Sequence, residues 1–495
     1  MTATSSTSPS PIDASCRLPL FTLFGGAAVW LALSSVFGLI ASIKFHSPNF
    51  LADCACLTYG RVHPASLNAF VYGFAIPAGL GVALWLLARL GRVTLARPWL
   101  VVVGAKLWHV GVLVGLLGIF GGDATGFEWL EMPRYAAVIL FVAFLLMALF
   151  GFVTHSARSR RCESADSSGE DVRRFTSAAT NELYPSQWFV LAALFWFPWI
   201  YSTANLLLLV FPVRGVTQAA IDWWFSGNLL VVWLTLAGLA ASFYFMPKLS
   251  GRPLQSHYLA LFVFWTLILF GTWVGIPGGA ALPAWMPALS GVAAVMTLVP
   301  TLTIAASAWL TLRGSTTKCA GGPLCFVKFG VFSLLLSGLM LAVSAVPQIS
   351  RVTDFTWFGT AQTQLRLYGF FAMTMFGAAY YILPRVTGNE FPFAKFVRVH
   401  FWCGVLGTLL LALPLAIGGV VQGLKLANAG IAFTDVAKSA LMFLRLSTVG
   451  ETLLALGNLL FLLNVTALIV RHYRSVCLTA YAAATARLET TEVKP

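Results

Sequence analysis

What most restricts this chain is a run of apolar stretches, each about as long as a bilayer is thick. They lie near 18–43, 64–88, 98–120, 135–155, 187–211, 224–247, 256–276, 285–312, 326–346, 362–383, 399–422 and 446–470. A helix needs about 20 apolar residues to cross roughly 30 Å of hydrocarbon. Helices and closed barrels alone satisfy their backbone there. With 59% hydrophobic and 10% charged residues, the pattern predicts an all-α integral membrane protein of about twelve transmembrane helices and argues against a soluble enzyme.

The polar, Ser/Thr/Pro-rich residues 1–17 read as a cytoplasmic tail, not a cleaved leader, because the first apolar stretch is long enough to stay as a span. Residues 18–475 form the twelve-span domain, and 476–495 a second cytoplasmic tail. Residues 156–183, with Ser167-Ser168-Gly169-Glu170-Asp171, read as a mobile cytoplasmic linker. The net charge of +14 would suit nucleic acid, but it sorts by loop. Arg89, Arg92 and Arg97, then Arg158, Arg160 and Arg161, then Lys248 and Arg252, then Lys395 and Arg398 follow even-numbered spans. By the positive-inside rule both termini are cytoplasmic, in the cell inner (plasma) membrane. The basic excess is thus a topology signal; lipid is the partner it implies, and nucleic acid is not. The eight cysteines are scattered, which does not describe a disulfide scaffold.

Several motifs recur in a fixed order. Tyr59-Gly60-Arg61-Val62-His63-Pro64 opens the second stretch, and Gly126-Phe127-Glu128-Trp129-Leu130-Glu131 joins the third and fourth. Then come Tyr184-Pro185-Ser186-Gln187-Trp188, Leu194-Phe195-Trp196-Phe197-Pro198-Trp199, Trp223-Trp224 and Tyr244-Phe245-Met246-Pro247-Lys248. In this order they resemble the catalytic subunit I of cbb-type (C-family) haem–copper cytochrome c oxidases, related to nitric oxide reductases, over roughly residues 25–475. The resemblance implies the twelve-helix subunit I fold, haem b and copper, a membrane-anchored cytochrome c among the partners, and oxygen reduction with proton pumping.

Six histidines hold the haems and copper in that family. Aligned on the motifs, their positions are Ser66, Gln362 and Gln364 for haem and Gly227, Pro277 and Gly278 for copper; the redox tyrosine falls on about Gly271. Gln362 and Gln364 lie two helical residues apart, about 200° around the axis, so they face opposite ways. Haem iron takes His, Met, Cys or Tyr, and copper takes imidazole; none of these stands at the six positions. The residues themselves therefore predict no haem and no copper.

Other side chains are candidates of weaker pattern. His63 and His109 are substitute haem ligands. Glu128 and Glu131 match an acidic loop that carries calcium in the family, or are two solvated carboxylates; two are few for a calcium cage. His46, Cys54, Cys56 and His63 share one outside loop and can form a small metal site. Arg366, Arg445 and Glu451 are charged within or near spans, where charges are costly and usually paired.

Three functions follow. The first is a non-catalytic or haem-poor oxidase-like subunit of a respiratory electron-transfer complex. The second is an active oxidase or nitric oxide reductase with unrecognised ligands. The third is a channel or transporter using the vacated haem cavities.

Overall fold

The structure is a computed structural model that describes residues 10–167, 183–315 and 321–492. Most of the 156–183 linker and the ends of both tails lie outside the described residues. Among the described residues there is no strand, and eleven helices are long and apolar enough to cross a membrane. They are α1 (Pro11–His46), α2 (Tyr59–Gly91), α3 (Pro98–Gly121), α4 (Arg134–Ser167), α5 (Pro185–Val210), α6 (Val216–Ser250), α8 (Trp285–Leu312), α9 (Pro323–Ser344), α10 (Trp357–Thr387), α11 (Ala394–Leu426) and α12 (Phe433–Glu492). The seventh apolar stretch is the shorter α7 (His257–Gly271). At 1.5 Å per residue it falls short of the full hydrocarbon depth. The all-helical membrane architecture is as the apolar pattern predicts.

Proline opens several of these helices, at Pro11, Pro98, Pro185 and Pro323. Its missing N–H costs nothing in a first turn, where donors have no intrahelical acceptor. The first helix begins inside the segment read as a tail. Ser10 Oγ accepts from the Asp13 N–H, and the buried Asp13 carboxylate accepts from Trp85 Nε1 at 3.0 Å and meets Arg89 at 3.6 Å. These tertiary partners are distant in sequence, so no local pattern announces them. The C-terminal segment likewise continues as helix to Glu492. Cys16, Cys54, Cys56, Cys403 and Cys477 are free, whereas Cys325 is disulfide-bonded, which the cysteine pattern did not predict.

The most enclosed spans are α2, α6 and α10. Each contains a π-helical stretch: Ala69–Ala75 in α2, Asn228–Trp233 in α6 and Leu365–Ala372 in α10. One aromatic block, with Tyr72, Trp108, Phe144, Phe197 and Trp233, fills the space among α2–α6. The polar atoms of these rings are spent on backbone: Trp108 Nε1 donates to Tyr72 O at 2.7 Å, and Tyr72 OH to Trp129 O at 2.6 Å. A cavity beside this block, bounded by Gly79, Phe144 and Trp233, is about 10 Å³, room for roughly one water. A second block joins α9–α12: Phe376 packs on His400 at 4.5 Å between centroids, and His400 Nδ1 pairs with Tyr380 OH at 2.9 Å.

Candidate functional site: one end of α2, α6 and α10

The family ligand positions sit near one end of the three enclosed spans, each shortly before a π stretch. Ser66 precedes Ala69–Ala75, Gly227 adjoins Asn228–Trp233, and Gln364 adjoins Leu365–Ala372. π turns inside α-helices occur often at functional sites. Here the backbone irregularity is present without histidine beside it.

At Gly227 the space that a side chain would need is taken. A Cβ there would lie 1.9 Å from the Val274 carbonyl oxygen. The partner residue Gly275, at φ +133°, repeats the relation: its Cβ would lie 2.3 Å from Trp223 O. Two glycines thus let the loop after α7 settle backbone to backbone on α6, and only glycine permits that approach. Asn228 fixes the contact, donating through Nδ2 to Thr272 O at 3.2 Å and accepting from Trp196 Nε1 at 3.2 Å.

The same loop carries Pro277 and Gly278, which border a cleft of about 1110 Å³ between the α7–α8 loop, α8, the end of α9 and the short helix Pro347–Thr353. Gln362 is in its wall, and Ser350, Arg351 and Asp354 are at its polar side. The Asp354 carboxylate accepts from Gly278 N at 3.1 Å, and burial raises its pKa above the ordinary range. Gln364 is half-buried and outside that lining. Ser66 is buried, with its carbonyl accepting from Ser34 Oγ at 2.8 Å. Gly271 is buried at the end of α7, its open side against Val232.

Of the substitute histidines, His109 is otherwise engaged. His109 Nδ1 accepts from Trp30 Nε1 at 3.2 Å, and Nε2 donates to Thr22 O at 3.1 Å. With one nitrogen a proton acceptor and the other a donor, no lone pair is left for a metal. His63 stacks on Tyr59 at 5.1 Å and 11°. Among the described residues no three His, Cys, Asp or Glu side chains come together to hold a metal ion. The loop set His46, Cys54, Cys56 and His63 is accordingly dispersed: His46 Nε2 reaches Thr448 Oγ1 at 3.3 Å, and both cysteines are exposed. Irregular spacing on a surface loop gave no geometry to gather them.

Glu131 is buried, and its Oε2 accepts from Asn68 Nδ2 at 2.8 Å. Burial pushes its carboxyl up to about 7, against the hydrogen bond from Asn68. Glu128 is also raised by burial, and its N–H donates to Asp222 Oδ2 at 3.3 Å. Arg366, Arg445 and Glu451 do not pair with one another, whereas Asp13 of α1 pairs with Arg89 of α2; Arg445 is exposed, Glu451 Oε2 is enclosed, and Arg366 is buried. Sequence reasoning missed Asp13, Asp222, Asp354 and the Tyr380–His400 pair, whose partners are remote in the chain.

The fold and the ordered motifs define a subunit I of the haem–copper oxidase class. Residues 20–483 match the family model for cytochrome c and quinol oxidase polypeptide I, and the chain belongs to that family. It is 25% identical over 412 residues to the cbb3-type cytochrome c oxidase subunit CcoN1 of Stutzerimonas stutzeri, covering 80% of this chain and 81% of that one. It is 24% identical over 472 residues to a cytochrome c oxidase subunit 1 homolog of Azorhizobium caulinodans, covering 90% and 80%. A solved heme-copper terminal oxidase dimer superposes with a TM-score of 0.69 at 15% identity, covering 92% of this chain and 84% of that one. The family implies haem and copper. At the positions to which the motifs assign the ligands, serine, glutamine, glycine and proline do not fit those groups, and at Gly227 the Val274 carbonyl leaves no room for an imidazole.

Proposed function

We propose that the chain is a non-catalytic, haem-poor subunit I-like component of a membrane respiratory complex. The observation that carries this reading is the backbone contact at Gly227. At this position main chain fills the space that a ligand side chain would need. Its role is then to scaffold and contact neighbouring electron-transfer subunits, a membrane-anchored cytochrome c among them. It lies in the cell inner membrane with both termini cytoplasmic, as the loop charges imply. The test is a pyridine haemochrome and copper assay with a reduced-minus-oxidised spectrum on the purified chain. Neither haem nor copper is expected. Stoichiometric haem would return the chain to the active oxidases or nitric oxide reductases, with His63 as the first ligand to mutate.

A channel or transporter is the second reading, and the cleft of about 1110 Å³ bordered by Pro277, Gly278 and Gln362 supports it. Solute or proton flux in vesicles distinguishes it from the scaffold.

A further inference from the structure

The middle of α10 carries a charge that the rest of the fold leaves unanswered. Arg366 is 5% exposed within a span. Its guanidinium has five N–H donors and stays protonated in proteins. One of them reaches Thr235 Oγ1 on α6, at a long 3.5 Å. Among the described residues no carboxylate lies within ion-pair distance of it. Charged groups at this depth are costly, and they pair or face a water-filled cavity. A guanidinium that can neither shed its proton nor find a carboxylate takes its counter-charge from outside the chain.

Arg366 and Thr235 lie just beyond the lining of the cleft. Gln362 is in its wall, and Arg366 follows Gln362 by four residues, which places it one helical turn deeper on the same face. On the facing helix, Thr235 lies one turn below Val231, which packs against Val274 and Ala294 of the cleft lining. Farther along, the buried hydroxyls of Ser333, which lies against Gly369, and of Thr374 have no protein partner. These are donors suited to an anion and its water. Arg351 gives the cleft a second cation, and the Asp354 carboxylate beside it is turned onto the Gly278 amide.

We propose that Arg366 and Thr235 form the inner end of a site for a monovalent anion of halide size, reached through the cleft between the α7–α8 loop and the end of α9. One uncompensated positive charge calls for one negative charge. The donors present are N–H and O–H groups, which solvate a halide. The route shares its cleft with Pro277, Gly278 and Gln362, so the site rests on the haem-poor reading.

The experiment titrates chloride against gluconate at constant ionic strength on the full chain in lipid nanodiscs. Chloride NMR line width and thermal unfolding are the readouts. Saturable broadening and a saturable rise in unfolding temperature are expected for the wild type. Arg366→Gln should raise the half-saturating chloride by about tenfold or more, roughly the loss of one charge-assisted bond. Arg366→Lys, which keeps the charge, should retain saturation and guards against a variant that fails to fold. Linear, non-saturating broadening in the wild type would overturn the site, as would saturation in Arg366→Gln at the wild-type concentration. Haem assayed on the same sample separates the two failures: haem present overturns the haem-poor reading, whereas non-saturating chloride in a haem-free sample overturns the anion site alone.

Discussion

Gly227→Ala is the smallest change that tests how the outer site is closed. The added methyl carbon would lie 1.9 Å from Val274 O, 2.8 Å from Val274 C and 3.0 Å from Gly275 Cα. All three atoms are backbone, so none can turn aside as a side chain does. A carbon–oxygen contact settles at about 3.3 Å or more, so the loop must retreat by over roughly 1 Å and stretch the Asn228–Thr272 bond. Overpacking a tight site costs about 1–3 kcal/mol. With only backbone to move, the upper end applies, about 3 kcal/mol, or roughly a hundredfold in the folding equilibrium. Gly359→Ala is the control. It lies in a helix with nothing within 4 Å of its Cβ position, so alanine should gain up to about 1 kcal/mol. Unfolding is followed by tryptophan fluorescence as SDS is titrated into mixed micelles, with size-exclusion chromatography to confirm the folded start. Gly227→His should be at least as unstable and hold no stoichiometric copper. A Gly227→Ala protein within about 0.5 kcal/mol of the wild type, or a stable Gly227→His that binds copper, would refute the argument.

Three further outcomes are expected. Glu131 is protonated more readily when folded than when unfolded, because burial raises its pKa from 4.5 to about 7. Its contribution is therefore intact below pH 4.5 and is lost as pH rises toward 7, by at most roughly 3.5 kcal/mol at about 1.4 kcal/mol per pH unit; Glu131→Gln, which keeps a carbonyl acceptor for Asn68, should flatten that slope in denaturation across this range. Asp13→Ala strands Trp85 Nε1 and Arg89 and should cost about 3 kcal/mol, read as an earlier SDS midpoint, with no loss indicating that the N-terminal turn does not anchor α1. His109→Leu should leave the visible spectrum unchanged and cost about 1–3 kcal/mol through the unpaired Trp30 Nε1 and Thr22 carbonyl; a spectral change would make His109 a ligand.

The fold was legible because hydrocarbon thickness sets a length that twelve stretches meet, and because proline marks several helix starts. α7 was overestimated for a physical reason. Apolar residues beyond Gly271 belong to the loop that lies on α6, and hydropathy does not distinguish a lipid-facing turn of helix from a loop packed on protein. Flanking motifs singled out Ser66, Gly227 and Gln362, but their surroundings were not readable. That Val274 O lies against Gly227, that Gln362 faces a cleft and Gln364 does not, and that Arg366 lacks a carboxylate all depend on contacts across many tens of residues. The pairing expected of Arg366, Arg445 and Glu451 failed for the same reason: Arg445 and Glu451 are close in sequence, yet the helix turns them to different surroundings.

The π stretches in α2, α6 and α10 divide each inner span into two independently phased halves. A π turn accommodates one extra residue, and that residue rotates everything beyond it by about 100°. Faces on the two sides of such a turn are thus set separately, as if each span were two short helices hinged at a fixed dihedral. A change of occupant at the outer half need not propagate into the aromatic packing of the inner half. This partition explains how one end of the bundle can hold serine, glycine and glutamine while the other still interdigitates tightly. It marks the stretches as joints at which one end of a membrane span can change its side chains without the rest being redesigned.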